Sequence, residues 1–372
     1  MWLSRAFLCC FILLLTPAFC FAQPKSKPTS APTSAALERQ LQQAVRRAPH
    51  DFDAHHKLGE FYLRAGKLPA AIVWLEKARA LNPSHYTNGY DLALAYVQTG
   101  KLTAARQQIQ QLLTRQNTAE LHNLMGLVEE TAGNQLAAAE AYQRAAQLDP
   151  NEKNVFDLGN ILLQLTAANE ALTIFQYGVN KHPQSSQLRV GRGIAEYTLG
   201  KYHEAVETLC QAVDLAPNDP RPYVFLGEMY GVSVELADEI NQRFAKLTQT
   251  QPRNALAHYY YAMNLWKGKR SAQADADPAQ LESLLKNAIT LDPNLADGFY
   301  QLGTLYFEQK NYPAAVTPLR RATQLKPNDA QFHFKLAQAY QQTKQTALAA
   351  AEFALTKKLK DEAMQAEIKP KP

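Results

Sequence analysis

The amino-acid sequence predicts an all-α fold built from pairs of helices that stack one on another along the chain. Three observations predict it: prolines recur about every 34 residues, a small residue follows each proline by about ten positions, and an alanine follows about twelve positions later. A repeat of this length is typical of solenoids, in which each unit buries its apolar face only against its neighbours. One elongated array is therefore expected, instead of two or three ordinary domains.

The prolines mark where each unit ends. Their successive spacings are 34, 67, 33, 34, 35, 41 and 34 residues, and the gap of 67 holds two units, with Asn117 where a proline would fall. A proline cannot continue a hydrogen-bonded helical turn, so each one ends the second helix of a unit. The Asn or Asp that follows, as in "PND" at 217–219, is expected to cap the next helix. The recurring prolines are Pro49, Pro83, Pro150, Pro183, Pro217, Pro252, Pro293 and Pro327.

Apolar spacing divides each unit into two helices. The first helix carries a large residue, then Leu-Gly, then a tyrosine, as in "FYQLGTLY" at 299–306. These intervals of three and four residues belong to one buried helical face. The second helix alternates alanine with a bulky residue, as in Ala315, Leu319 and Ala322. Small residues let the two helix backbones approach closely, while the bulky residues fill the space between them.

These residues closely resemble the tetratricopeptide repeat, whose pattern is an aromatic residue-x2-Leu-Gly-x2-Tyr, then Ala-x3-Phe, then Pro. The resemblance covers about nine units over residues 52–360, and a half unit at 37–51 is expected to form an N-terminal capping helix. It implies a right-handed superhelical solenoid of stacked antiparallel helix pairs. It also implies that the first helices line a concave groove, which is the usual ligand surface of the family.

Two units depart from this pattern. Glu129 in repeat three and Glu196 in repeat five stand where the pattern has tyrosine, and Arg189 and Arg192 stand where large apolar residues are usual. Long charged side chains can cover apolar surface while their ends stay in water. We therefore interpret these residues as local degeneracy of the repeat, with the charged ends reaching solvent.

The segments that flank the array have a different composition. Residues 1–22 combine Arg5 with the apolar run "AFLCCFILLLTPAFCFA". This pattern predicts a signal peptide cleaved after Ala22, and so a protein exported to the periplasm or the extracellular space. An uncleaved membrane anchor is the alternative. Residues 23–36 are rich in Pro, Ser and Thr and predict a linker, and residues 361–372 predict a polar C-terminal tail.

Repeat seven contains an insertion at about 267–280. Between Ala262 and Leu281 the step is 19 residues, against 12 in repeat one, so seven residues are added. We expect all seven in the turn between the two helices, because loops tolerate insertions at a low cost in free energy. Asp277 and Pro278 are expected to cap and open the second helix. Asp275 and Asp277 lack the glycine and the distal glutamate of a familiar calcium loop.

No motif in the sequence predicts catalysis, a cofactor or a metal site. The Gly-Lys pairs at 66–67, 100–101 and 200–201 all fall in the turn between paired helices, and they lack the flanking residues of a phosphate loop. His56 and Glu60 share one helix face, but two ligands leave a zinc site incomplete. We therefore expect a protein that is not an enzyme.

Charge and cysteine content narrow the possible partners. Removal of Arg5 with the signal lowers the formal net charge from +5 to +4, and the basic clusters are short, which does not favour nucleic acid as a partner. Three of the four cysteines lie in the signal segment, so Cys210 has no partner for an intramolecular disulfide.

The groove implied by the resemblance carries many aromatic residues at the fifth, ninth and twelfth positions of the first helices. Exposed apolar patches mark interaction surfaces, and Tyr and Trp are frequent at binding hot spots. We predict a scaffold or adaptor that binds a segment of a partner protein there, in envelope assembly or secretion. Binding of a polysaccharide by aromatic stacking is the alternative, and burial of individual rings against neighbouring repeats also stays open. The predicted contact residues are Tyr90, Phe156, Tyr197, Tyr259, Trp266, Tyr300, Phe307 and Phe334.

Overall fold

A computed structural model describes residues 34–232, 234–270 and 277–368. Within these ranges the chain forms nineteen α-helices and no strand, which confirms the predicted all-α fold of helical repeats. The chain divides into two compact units, Met1–Leu199 and Gly200–Pro372. The boundary falls between the two helices of repeat five.

The first unit holds ten helices, of which eight form four regular pairs. In repeats one to four, a first helix of 13 residues is followed after a short turn by a second helix of 12 or 14 residues. The helices are α1 (Ser34–Arg47), α2 (Phe52–Arg64), α3 (Leu68–Leu81), α4 (Tyr86–Gln98), α5 (Leu102–Leu113), α6 (Ala119–Thr131), α7 (Gln135–Leu148), α8 (Glu152–Gln164), α9 (Ala168–Lys181) and α10 (Ser186–Thr198).

The second unit holds nine helices and is less regular. In repeat six the first helix has only 10 residues and the second has 17. The helices are α11 (Tyr202–Leu215), α12 (Pro220–Met229), α13 (Val234–Thr250), α14 (Ala255–Arg270), α15 (Pro278–Leu291), α16 (Ala296–Glu308), α17 (Tyr312–Leu325), α18 (Ala330–Gln342) and α19 (Thr346–Ile368). No helix in the described part of the chain is both long and apolar enough to cross a membrane.

Small residues bring the two helices of a pair together, as predicted. A Cβ atom added at Gly126 would lie 2.5 Å from the ring of Tyr142, and one added at Gly159 would lie 2.5 Å from the ring of Phe175. Both rings belong to the second helix of the same repeat. Only glycine permits these approaches without displacing the ring.

The turn between paired helices reverses the chain through a left-handed residue. The φ angle is +70° at Gly66, +73° at Gly100 and +80° at Gly133. The same position in repeat four is Thr166, with a φ of +59°. Glycine adopts this conformation at no steric cost, so the Gly-Lys pairs serve as helix turns, as predicted.

Aspartates cap first and second helices where the sequence predicts them. The side chains of Asp219, Asp277 and Asp329 each accept a hydrogen bond from the backbone N–H two residues later, at 3.0, 2.9 and 2.9 Å. Pro278 directly follows its cap at the start of α15. These caps satisfy N–H groups that have no partner inside the helix.

Two helices extend beyond the predicted boundaries. Helix α1 begins at Ser34, so the last three residues of the predicted linker are helical. Helix α14 continues to Arg270, so residues 267–270 at the start of the insertion are helical, and the prediction that all seven added residues lie in the turn is wrong. Lysine and arginine are good helix formers, and the added residues include both. Residues 271–276 of the insertion, with Asp275, lie outside the described residues.

The last helix of the chain also extends beyond its predicted boundary. Helix α19 continues to Ile368, through most of the predicted C-terminal tail. The predicted signal peptide at 1–22 and the linker up to residue 33 lie outside the described residues.

Candidate binding surface

The first-helix face is defined here as the fifth, ninth and twelfth positions of each first helix. In the second unit, Tyr259 on α14, Tyr300 on α16 and Phe334 on α18 all stand at the fifth position. Phe307 lies seven residues after Tyr300, which is two turns along the same side of α16. The repeat therefore presents aromatic residues at equivalent places on three successive first helices.

These four aromatic side chains of the second unit are held by neighbours but keep exposed surface. Phe334 is 40% exposed, and the other three are partly buried. The ring of Tyr300 stacks on Phe332 with a centroid distance of 4.6 Å. Lys335 Nζ lies 4.8 Å from the centre of the Phe307 ring. Such contacts fix the rings in place, which lowers the entropy lost when a ligand covers them.

The hydroxyl groups of Tyr90 and Tyr259 on this face are neutral at physiological pH. Burial raises the pKa of Tyr259 in the second unit and of Tyr90 in the first. In the first unit Tyr90 stacks on Tyr86 at 6.4 Å, and the Tyr86 hydroxyl hydrogen-bonds with Thr118 Oγ1 at 2.9 Å. A neutral, oriented phenol can both donate and accept hydrogen bonds.

Polar side chains lie on and next to this face in repeats three and four, where Asn123 and Glu130 stand at the fifth and twelfth positions of repeat three. Asp157 accepts hydrogen bonds from Asn123 Nδ2 at 2.7 Å and from Lys153 Nζ at 2.6 Å. Gln164 Nε2 donates to the Glu130 carboxylate at 2.8 Å. These bonds join consecutive repeats through their side chains.

Two of the eight predicted contact residues are buried, which corrects the sequence prediction for them. Phe156 is 1% exposed and lies 6.1 Å from the ring of Phe175 on α9. Trp266 is 3% exposed and belongs to a core cluster with Leu281 and Leu285 of α15. Both rings are buried in the packing between helices, so they support the fold and leave no surface for a ligand.

The other predicted residue of the first unit, Tyr197 on α10, is partly buried. The surface that remains accessible therefore consists of two groups. Tyr90 and Tyr197 belong to the first unit, and Tyr259, Tyr300, Phe307 and Phe334 belong to the second.

Glu129 and Glu196 are buried and paired, which corrects the interpretation that their charged ends reach solvent. Arg106 on α5 donates two hydrogen bonds to the Glu129 carboxylate, at 2.6 and 2.8 Å, and Arg192 Nε donates to Glu196 at 2.7 Å. The bond from Arg106 lowers the pKa of Glu129, so this carboxylate is charged at neutral pH. Arg192 keeps partial exposure.

The pair of Glu129 with Arg106 replaces a Tyr–Glu pair found in other repeats. Tyr62 OH donates to Glu38 on α1 at 2.9 Å, and the corresponding tyrosine of repeat eight donates to Glu282 on α15, also at 2.9 Å. In each case the partner lies on the second helix of the preceding unit. This pair could have been predicted from the sequence. The position on the preceding second helix that holds Glu38 or Glu282 elsewhere holds Arg106 here, where the tyrosine is replaced by Glu129.

The potential metal ligands are engaged in other contacts. His56 Nδ1 hydrogen-bonds with Asn88 Oδ1 at 3.1 Å, and Glu60 forms an ion pair with Arg64. Among the described residues, no group of three or more His, Cys, Asp or Glu side chains could hold a metal ion. Cys210 is buried, and burial raises the pKa of its thiol to about 12.

Family models match large parts of the chain. Models described as tetratricopeptide repeat match residues 38–86, 63–128 and 156–220, and a model described as TPR repeat matches residues 303–344. Together these ranges cover more than half of the 372 residues.

Curated relatives match part of the chain at low identity. Protein O-mannosyl-transferase TMTC3 of Homo sapiens is 24% identical over 201 residues, which are 54% of this chain and 22% of that protein. Superkiller protein 3 of Schizosaccharomyces pombe is 19% identical over 283 residues, 71% of this chain and 20% of that protein. The chain thus spans about a fifth of the length of these relatives.

Solved structures are similar to the chain at low identity. The structure of YrrB, described as a TPR protein with an unusual peptide-binding site, is 20% identical with a TM-score of 0.41 and covers 50% of this chain and 96% of its own. A tetratricopeptide repeat protein from Parabacteroides merdae is 18% identical with a TM-score of 0.46, and the match covers 69% of this chain and 92% of that protein's chain.

Proposed function

Since this chain belongs to the tetratricopeptide-repeat proteins, we propose that it is a non-catalytic scaffold that binds a segment of a partner protein on its first-helix face. The observation that carries the proposal is the set of accessible aromatic side chains at repeated positions in the second unit, Tyr259, Tyr300, Phe307 and Phe334. Packing within the repeat does not require aromatic residues at these positions, because the helix pair closes through the glycine face.

Aromatic rings on this face favour binding of a partner with apolar side chains. Removing apolar surface from water contributes about 25 cal/mol per Å². Rings that are already stacked, such as Tyr300 on Phe332, lose little rotational freedom when they are covered. Lys335 beside Phe307 places a positive charge next to the apolar surface. A protein segment that carries apolar side chains suits this combination.

The protonation and the burial of the Cys210 thiol favour a binding role for the protein over a catalytic one. A nucleophilic cysteine acts as its thiolate, and the raised pKa keeps this thiol protonated at pH 7. The side chain is also buried, so a substrate does not reach it. We therefore propose that the chain acts by binding alone.

We also propose that the protein acts after export from the cytoplasm, in envelope assembly or secretion. The composition of residues 1–22 supports this, and those residues lie outside the described ranges. Mass spectrometry of the protein from its producing cell should give a mature N-terminus at Gln23. A chain that retains Met1 and stays in the membrane fraction would contradict cleavage and favour the anchor.

The binding proposal is tested by removing two rings of the first-helix face. The double variant Tyr300→Ala/Phe334→Ala should lose the proteins that co-purify with the full chain and should bind a purified partner at least about tenfold more weakly, because hot-spot rings contribute about 2 kcal/mol or more. The matched control is Tyr177→Ala, since Tyr177 is 48% exposed but lies on a second helix. Circular dichroism checks that both variants stay folded.

Equal partner recovery by the double variant and the control would refute the first-helix face as the binding surface. Titration of the same proteins with oligosaccharides, followed by calorimetry, tests the polysaccharide alternative. Heat release with the wild type that disappears in the double variant would identify a glycan as the ligand instead of a protein.

A further inference from the structure

The second unit contains a cavity of about 430 Å³ between α15, α16 and α17. Its apolar walls are Ile289, Phe299, Leu302, Tyr306 and Pro318. Pockets that bind ligands measure about 300–1,000 Å³ and are mostly apolar with a few polar groups at their edge. This cavity matches that description in both size and lining.

The cavity lies on a different side of α16 from the first-helix face. Phe299 and Tyr306 line the cavity, whereas their chain neighbours Tyr300 and Phe307 belong to the first-helix face. Adjacent residues of an α-helix point about 100° apart. The two surfaces are therefore separate, and a ligand in the cavity does not compete with one on the first-helix face.

A proline lines the cavity at a position where repeat one has a tryptophan. In repeat one, the residue nineteen positions after His55 is Trp74, and their rings lie 5.6 Å apart. The equivalent pair in repeat eight is Phe299 and Pro318. A proline ring is smaller than an indole, so repeat eight has less side-chain volume at this position than repeat one. A proline inside a helix also removes a backbone hydrogen bond, so its presence in the interior of α17 is unfavourable for the helix itself.

Two arginines stand at the edge of the cavity without a carboxylate partner. Within the described part of the chain, neither Arg320 nor Arg321 forms an ion pair, and Arg321 Nη2 donates only to the backbone oxygen of Pro293, at 3.3 Å. Guanidinium groups bind carboxylates through paired hydrogen bonds. The edge of the cavity therefore favours an acidic group.

The residues that line the cavity include both arginines and no carboxylate. Lys286 forms an ion pair with Glu282 at 2.7 Å, and Lys326 forms one with Asp297 at 2.7 Å. The lining of the cavity therefore carries a net positive charge, which favours a negatively charged partner.

We propose that this cavity binds an acidic peptide segment of a partner protein. One large apolar side chain of the segment inserts between Phe299 and Pro318, and flanking carboxylates pair with Arg320 and Arg321. Arg320, Thr317 and Gln324 line the cavity and are exposed, so the mouth is open to solvent along its edge. An open mouth suits a side chain presented on a polypeptide better than a small molecule that must be enclosed to bind.

The most direct test fills the cavity. The variant Pro318→Trp gives repeat eight the residue that repeat one has at the same position, and it restores the missing backbone N–H. It is expected to melt at the same or a higher temperature than the wild type and to lose the peptide site. If the indole does not fit and the melting temperature falls, Pro318→Leu provides the same test, since repeat seven has Leu284 at this position.

A second variant removes the charge. Arg320→Gln/Arg321→Gln keeps the cavity and deletes both guanidinium groups. Its control, Lys310→Gln/Lys344→Gln, removes the same charge from two exposed turn residues of the same unit. Tyr300→Ala reports on the first-helix face, so failure of this proposal and failure of the proposed function are distinguishable.

The probe is a random dodecapeptide phage library selected on the full chain and counter-selected on Pro318→Trp. Enriched peptides should carry one large apolar residue flanked by Asp or Glu. By fluorescence anisotropy their Kd should rise about tenfold or more in both the filled and the arginine variants, as expected for losing a buried side chain or paired charges. The lysine control and Tyr300→Ala should leave the Kd unchanged.

Three results would overturn the proposal. Selection that yields no peptide sensitive to Pro318→Trp or Pro318→Leu removes the site. Enriched peptides without acidic residues, or with a Kd indifferent to the arginine variant, refute the charge pairing. Binding of a free fatty acid such as laurate that depends on Pro318, with no peptide enriched, refutes the peptide occupant.

Discussion

Repeats six and eight of the second unit carry the same Leu-Gly-x-x-Tyr sequence on their first helices but pack differently. In repeat eight, a Cβ atom added at Gly303 would lie 2.5 Å from Leu319 of the second helix. In repeat six, a Cβ atom added at Gly227 would meet only Asn264 Oδ1, at 3.5 Å, an ordinary contact. The same motif therefore marks a tight helix pair in one repeat and an open one in the other.

The cause lies in the aromatic side chains around the shortened helix α12. Tyr223 stacks on Phe244 of α13 at 6.1 Å and on Tyr260 of α14 at 5.4 Å. Its hydroxyl donates to the oxygen of Pro217 at 2.9 Å and accepts from Asn254 Nδ2 at 2.6 Å. A fully buried tyrosine thus holds α12 between two helices, where repeat eight relies on direct contact at a glycine. The motif predicts a helix but does not determine the distance to its partner.

The largest effect is expected at the close contact of repeat eight. Gly303→Ala places a methyl group against Leu319 and 3.2 Å from the backbone oxygen of Ala315, so the helix pair must separate. Overpacking of this kind lowers the free energy of unfolding by about 1–3 kcal/mol. Urea denaturation followed by circular dichroism measures the loss. An unchanged midpoint would contradict the tight packing of this pair.

A smaller loss is expected from the tyrosine that organises repeat six. Tyr223→Phe keeps the stacked ring but leaves the Pro217 oxygen without the hydroxyl donor. The free energy of unfolding should fall by about 1–2 kcal/mol, the cost of an unpaired buried polar group. Tyr177→Phe on the exposed surface is the control and should change it by less than about 0.5 kcal/mol. Equal effects in both variants would show that the hydroxyl of Tyr223 contributes nothing to this repeat.

The smallest effect, with the opposite sign, is expected at the glycine of repeat six. Gly227→Ala adds a methyl group in ordinary contact and raises helix propensity, so it should stabilise the protein by up to about 1 kcal/mol. Urea denaturation of Gly227→Ala and Gly303→Ala under the same conditions compares their free energies of unfolding, and so the packing of the two repeats, directly. A loss of stability in both variants would mean that the two repeats pack alike.

Local signals in the sequence account for the parts of the fold that were predicted correctly. The cap of α15 at Asp277, the left-handed turn at Gly66 and the helix ends at the prolines depend on backbone geometry within a few residues. Such features follow from φ preferences and from hydrogen bonds between near neighbours. They can therefore be predicted from the sequence without knowing what packs against the segment.

Exposure of the candidate site could be predicted only in part. Phe156 and Tyr300 share the fifth position of their repeats, yet Phe156 is buried beside Phe175 while Tyr300 keeps accessible surface. Likewise, Trp266 is buried by α15, although its position matches that of Phe307. The position of a residue in the repeat predicts the side of the helix on which it lies. Its burial depends on the size of the side chains that pack against it from other helices.

The sequence by itself determined the helix pairs, their turns and caps, and the side of each first helix that carries aromatic residues, because these depend on local backbone preference and helical spacing. The tertiary structure alone decided the open packing of repeat six, the burial of Phe156 and Trp266, and the cavity beside Pro318. Each of these arises where side chains from two or three helices fill, or fail to fill, a shared volume, and close packing makes that volume sensitive to every contributor.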